Sequence, residues 1–255
     1  MNDYLETAYK ITKMRIRCIK SSKKRISFRK AIEQKNNEGY LALIAEYKRA
    51  SPRGIIRVDM DPWEYFNKLR RYATGFSVIT EPIHFLGCNE IVAIASSFNK
   101  PILYKDFIIE KIQIDQAKEY GASAILIIYE LSKFIGLEKI IRLVNYAKSL
   151  GLDVLLEINN ENDATHAQEA FQDSVIYGIN SRNLSSLELY FEKSLNILKI
   201  LANRYLVIFE SGISNENIAK RVAEVGANAI LVGTALMKNP ELAEALSNIK
   251  IRTYA

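Results

Sequence analysis

From residue 41 onward the sequence alternates between short apolar segments rich in β-branched residues and longer segments with apolar residues at helical spacing. The short segments are 41–48 (LALIAEYK), 75–80 (GFSVIT), 101–107 (PILYKDF), 123–129 (SAILIIY), 153–159 (DVLLEIN), 175–180 (VIYGIN), 205–211 (YLVIFES) and 228–234 (NAILVGT). Between them WEYFNKLRRYA, NEIVAIASSF, EKIQIDQAKEYG, LEKIIRLVNYAKSLG and NIAKRVAEVG read as helices, three of which run into Gly121, Gly151 and Gly226. Asn160, Asn215 and Asn239 stand where N-caps are expected. Alternation of this kind means parallel strands joined by crossover helices. Eight such units in about 215 residues predict an α/β fold, a closed (β/α)8 TIM barrel, because a doubly wound sheet usually has fewer strands. The 255 residues suit one barrel domain, with 41–246 as the barrel and 1–40 as an N-terminal helical extension laid over one of its ends.

Charge is unevenly placed along that plan. Net charge is +6, but residues 1–35 hold eleven Lys/Arg against three Asp/Glu. The run KMRIRCIKSSKKRISFRK has the composition of a nucleic-acid or anionic-lipid contact, or of a transit peptide. We read it instead as the solvated face of a helix whose Ile11, Ile16, Ile19, Ile26 and Phe28 touch the main body, since long basic side chains commonly coat amphipathic helices. It is expected to serve closure over substrate more than core stability, with neither nucleic acid nor membrane as a partner. No apolar run approaches the ~20 residues that span a bilayer, and the opening MNDYLETAYK lacks the apolar stretch of a signal peptide. A cytoplasmic monomer is expected. Cys18 and Cys88 lack metal-type spacing and read as free thiols.

Polar residues cluster at the C-terminal ends of the apolar segments: Glu46 and Lys48, Thr80 and Glu81, Lys105, Glu157 and Asn159, Asn180 and Arg182, Glu210 and Ser211, Gly233 and Thr234. That is the end at which barrel enzymes build their active sites. Residues i and i+2 of a strand share a face, so Glu46 with Lys48, and Glu157 with Asn159, are expected to point together into the mouth. ESGIS (210–214) and VGTAL (232–236) put glycine after the seventh and eighth segments, where barrels often hold a phosphate, and ALMKNP is a candidate for the accompanying short helix. A small phosphorylated substrate is implied. His84 and His166 lie in different segments, and no G-x-G-x-x-G or P-loop is present. No metal and no cofactor are expected, which leaves Lys and Glu as the acids and bases.

IAEYKRASPRG, SVITEPIHFLG, PILYKDFIIEKIQI, LLEINNEND, GINSRNL, ESGIS and ILVGTALM, in this order from about residue 41 to 240, resemble the indole-3-glycerol phosphate synthase family, and its archaeal members most. KDFI and GIN-R-L are specific to that family; ESGI and the final glycine element are shared with other phosphate-binding barrels. The resemblance implies an enzyme, a carboxy-lyase of tryptophan biosynthesis. Its substrate would be 1-(2-carboxyphenylamino)-1-deoxyribulose 5-phosphate, which undergoes ring closure, decarboxylation and dehydration. By resemblance, Lys105 is the acid that protonates the ketone oxygen. Lys48 partners the aromatic carboxylate and serves as a later proton donor, Glu157 is a general base, and Glu46 is a second candidate. Asn180 and Arg182 hold substrate, Arg182 near the phosphate, while Glu210 and Ser211 line the mouth. Ser51, Gly212, Gly233 and Thr234 take the phosphate, and Phe85, Phe107, Leu126, Leu184 and Leu231 form the apolar walls around the ring. Three departures stand out: Arg53 in the shortened SPRG loop, Cys88 where the family has serine, and the larger Tyr129 and Glu130 after the fourth segment.

Two other enzyme readings compete. Phosphoribosylanthranilate isomerases use a cysteine where this chain has Glu46 and Lys48. A Schiff-base aldolase would use Lys105 as nucleophile. A nucleic-acid binder working through residues 10–35 leaves the acids at the mouth unexplained.

Overall fold

In a computed structural model the protein is described at Leu5, Tyr9 and Thr12 and over residues 26–183 and 186–251. Strands β1 (Ala42–Tyr47), β2 (Gly75–Ile79), β3 (Ile102–Lys105), β4 (Ala124–Ile128), β5 (Asp153–Ile158), β6 (Ile176–Asn180), β7 (Val207–Glu210) and β8 (Ala229–Val232) pair in parallel, each with its neighbours in sequence. The ring closes where β1 pairs with β8 at Ile44↔Leu231 and with β2 at Ile44↔Gly75. Every strand lies inside one of the eight segments read from the sequence. Alternation sets the two sides of the wall. Leu43, Ala45 and Tyr47 face the helices, whereas Ala42, Ile44, Leu103, Ala124, Leu126, Ile128, Leu155, Ile176, Ile208, Ala229 and Leu231 fill the interior.

The outer helices are α2 (Pro62–Leu69), α3 (Asn89–Ser96), α4 (Lys111–Glu119), α5 (Leu137–Ser149), α6 (Glu161–Phe171), α7 (Phe191–Leu201) and α8 (Glu216–Val225), followed by the short α9 (Thr234–Lys238) and α10 (Leu242–Ser247). Asn160 and Asn215 cap as expected, accepting from Asp163 N–H and Ile218 N–H, and Asp61 caps α2 ahead of Pro62. Asn239 is a correction. It ends α9, and the next helix starts only at Leu242, so no N-cap is made there. Several elements had no counterpart among the expected ones: α7, a short helical segment at Ser132–Ile135 with the 3-10 turns Tyr129–Leu131 and Gln172–Ser174, and a small antiparallel pairing of Ala50–Ser51 with Gly54–Ile55 in the loop after β1.

The extension requires a second correction. Helix α1 (Phe28–Asn37) is capped by Ser27, whose hydroxyl accepts from Lys30 N–H. Its Phe28 and Ile32 are 0% exposed and belong to the same cluster as the barrel interior. The Phe28 ring lies beside Gly75, the first residue of β2, so α1 plugs the floor, the end opposite the mouth. Ser27 Oγ and Arg29 N–H both donate to Asp153 Oδ2 at the start of β5, and the Arg29 guanidinium donates to the carbonyls of Asp173 and Val175. This part of the extension is core, against the expectation that residues 1–35 act chiefly in closure. Ile26 is exposed; Ile11, Ile16, Ile19, Cys18 and most of the basic run lie outside the described residues. The chain returns to the same floor at its far end. Leu41 N–H donates to Ile249 O, Tyr40 bridges to Lys250, and Ile251 N–H donates to Gly39 O.

Candidate active site

The strand alternation that fills the interior with apolar side chains delivers four charged ones at its upper end. Glu46, Lys105, Glu157 and Glu210 come from β1, β3, β5 and β7, the alternate strands that build one layer of an eight-stranded barrel. Lys105 sits among the three carboxylates. Its Nζ lies 2.5 Å from Glu210 Oε2 and 3.6 Å from both Glu46 Oε2 and Glu157 Oε2. Lys48, two residues beyond Glu46 and on its face, places Nζ 2.9 Å from Glu46 Oε1.

The three carboxylates are buried and the two lysines largely so, and each group's state therefore depends on its partners. Burial works against the Lys105 ammonium, yet Glu210, Glu46 and Glu157 together hold its pKa above the ordinary lysine value. Burial also works against ionised Glu46, and Lys48 and Lys105 overcome it, leaving that carboxyl below its usual range. Glu210 is the opposite case. Burial pushes its pKa up to about 7 against the pull of Lys105, and the charges of Glu157 and Glu46 add to the rise. Its second oxygen, Oε1, is buried without a hydrogen-bond partner. Three carboxylates and two ammoniums leave one negative charge over, and a proton on Glu210 removes it.

Two glycines make room for this layer. A Cβ on Gly178, which faces inward from β6, would stand 2.5 Å from Glu210 Oε1. A Cβ on Gly233 would stand 2.3 Å from Glu46 Oε1 and 3.0 Å from Lys48 Nζ. Gly233 therefore admits the Glu46–Lys48 pair, a role that the resemblance to phosphate-binding loops did not suggest.

Asn180 Oδ1 accepts from Arg182 N–H at 3.0 Å and fixes the turn after β6. Ser211 and Gly212 follow β7 with φ of +67° and +75°. Gly212 lies against Ser181, whose buried hydroxyl has no hydrogen-bond partner. Ser51 is half-buried in the hairpin after β1, and Thr234 is exposed at the start of α9. Of the expected apolar walls, Leu126 and Leu231 are interior, Phe85 is half-buried and Phe107 is 41% exposed on the rim. Leu184 lies outside the described residues.

Several strand-end polar residues serve loops instead of the cleft. Glu81 accepts the backbone N–H groups of Ile83, His84 and Phe85, which hold its carboxyl below the usual range although burial pushes the other way. Asn159 does not join Glu157; it donates to Glu130 Oε2, which is part of a carboxylate also paired with Lys133. Thr80 donates to Asp106. Tyr129 turns outward against Phe171, so its size does not enter the mouth. Cys88 occupies the N-cap of α3 without a side-chain cap bond, where serine would supply one. Among the described residues no group of three or more His, Cys, Asp or Glu is arranged to hold a metal ion, and no helix is long and apolar enough to cross a membrane.

The family model described as indole-3-glycerol phosphate synthase matches residues 4–249. The indole-3-glycerol phosphate synthase of Pyrobaculum arsenaticum is 47% identical over 208 residues, 82% of each chain. That of Pyrobaculum neutrophilum is 42% identical over 257 residues, 99% of each chain. Among solved structures, 3-hexulose-6-phosphate synthase from Salmonella typhimurium superposes with a TM-score of 0.64 at 14% identity, covering 82% of this chain and 98% of that one, a likeness of fold alone. The chain belongs to the indole-3-glycerol phosphate synthase family, a carboxy-lyase of tryptophan biosynthesis.

Proposed function

We propose that ring closure of 1-(2-carboxyphenylamino)-1-deoxyribulose 5-phosphate is driven by the Lys105 ammonium. The observation that carries this is its position among Glu210, Glu46 and Glu157. A lysine kept protonated is an acid and a poor nucleophile, which favours proton donation over a Schiff base. The carboxylate-bearing ring carbon attacks the ketone carbon, and Lys105 gives its proton to the ketone oxygen as the new bond forms. Carbon dioxide then leaves, and its bonding electrons return to the ring. Dehydration needs one proton delivered to the departing hydroxyl and one taken from the adjacent CH2. Lys48 supplies the first and Glu157 accepts the second. Before this, the substrate's aromatic carboxylate takes the place of Glu46 as the partner of Lys48. Asn180, Arg182, Ser51, Ser211, Gly212, Gly233 and Thr234 hold the sugar phosphate. Phe85, Phe107, Leu126, Leu184 and Leu231 enclose the ring. The protein works as a cytoplasmic monomer in which the whole chain forms one barrel domain. The test is the appearance of indole fluorescence when the purified chain meets this substrate; the absence of product at saturating substrate overturns the proposal.

A further inference from the structure

Two arginines meet on one carbonyl oxygen at the mouth. Arg182, just after β6, donates from Nη1 to Leu187 O at 2.7 Å, and Arg53, at the tip of the hairpin after β1, donates from Nη2 to the same oxygen at 2.5 Å. Among the described residues neither guanidinium has a carboxylate within ion-pair distance. Two like charges on one neutral acceptor repel. Burial, and after it the charge of Arg53, lowers the pKa of Arg182. Leu187 itself holds φ at +60°, a conformation leucine rarely adopts. Both segments are otherwise well anchored. The hairpin is tied by Ala50 N–H to Phe85 O, and Asn183 accepts from the N–H groups of Ser186 and Leu187. Two uncompensated cations held at such a point call for an anion.

The surroundings say which anion. Ser51 Oγ accepts from Arg53 N–H at 3.3 Å. Arg182 bridges to Leu189, whose side chain lies 3.7 Å from the place a Cβ on Gly212 would occupy. The arginine pair thus lies between Ser51 and Gly212, two of the residues to which the phosphate is assigned above. We infer that Arg53 is a second guanidinium on the substrate's phosphate, acting with Arg182 beside their shared carbonyl. A phosphate dianion matches two planar forks better than a single one, and Arg53 stands in the shortened SPRG turn by which this loop departs from the family.

The inference rests on the phosphate assignment, so its test reads phosphate affinity apart from turnover. Arg53→Gln should weaken binding of inorganic phosphate, followed by calorimetry on the full chain, and raise substrate KM, each by roughly tenfold, the scale of one lost charge-assisted contact. Its kcat should stay near that of the parent. Arg53→Lys should recover only part of the loss, because a point charge lacks the fork. Arg53→Gln combined with Arg182→Gln should lose less than the product of the single effects. Unchanged phosphate affinity in Arg53→Gln overturns the inference, as does a fall in kcat at unchanged KM, which makes Arg53 a loop clasp. If the parent chain binds phosphate through Arg53 but forms no indole product, the proposed reaction falls and the arginine site stands.

Discussion

Lys105 is held by more opposing charge than any other lysine at the mouth, and it therefore separates chemistry from binding. Lys105→Met should lower kcat by the ~10²–10⁴-fold typical of a lost general acid, with KM little changed. Lys48→Met should raise KM as well, because it removes the partner of the aromatic carboxylate. Steady-state kinetics on both variants decide the assignment; near-normal kcat in Lys105→Met with abolished turnover in Lys48→Met exchanges the two roles. Glu210 brings a pH dependence of known sign. Its pKa rises from 4.5 in the unfolded chain to about 7 in the folded one. Between those values the folded protein keeps a proton that the unfolded chain has released, so stability declines as pH rises towards 7. Glu46, shifted the other way, acts below 4.5. Urea midpoints should fall between about pH 5 and 8, and Glu210→Gln should flatten that fall. The identities of these residues, the Glu46–Lys48 pair and carboxylates of Glu46 and Glu157 near Lys105 were legible in the sequence; the direct contact of Lys105 with Glu210 was not. Glu210 and Lys105 are 105 positions apart and touch because β3 and β7 face each other across the barrel. Strand ends alone do not tell Glu210, which enters the cleft, from Glu81, which staples a loop.

Among the elements, the strands were read within a residue or two because Val, Ile and Leu buried on both faces leave an unmistakable run. Helix α7 has the same apolar spacing at Leu195, Leu198 and Leu201 and was legible in principle. Helix α1 was not. FRKAIEQKNN shows only Phe28 and Ile32 at i and i+4, too little to reveal that both enter the barrel floor. Their burial yields a prediction about the element. Phe28→Ala should cost about 3–5 kcal/mol of folding stability, as for other fully buried phenylalanines, measured by chemical denaturation. A loss confined to activity would return the segment to a role in closure.

At the scale of the molecule the two ends of the barrel are divided between tasks. The floor is closed by α1 and by ties such as Ser27 to Asp153, whereas the mouth carries the buried charges. Division of this kind is general for the fold, with stability at the bottom and chemistry at the top. Residues 26 and 251 both belong to the floor side, next to α1 and Gly39. Among the described residues the floor side therefore lies well away from the opening used by substrate. Coupling through Asn37→Cys, exposed at the end of α1, to a solid support or to a neighbouring catalyst should leave KM and kcat near those of the free chain, while coupling through Arg53→Cys on the rim should not; kinetics on resin-bound protein measure the difference. An enzyme built this way is free to be joined to its metabolic neighbours at its back without narrowing the door through which substrate comes.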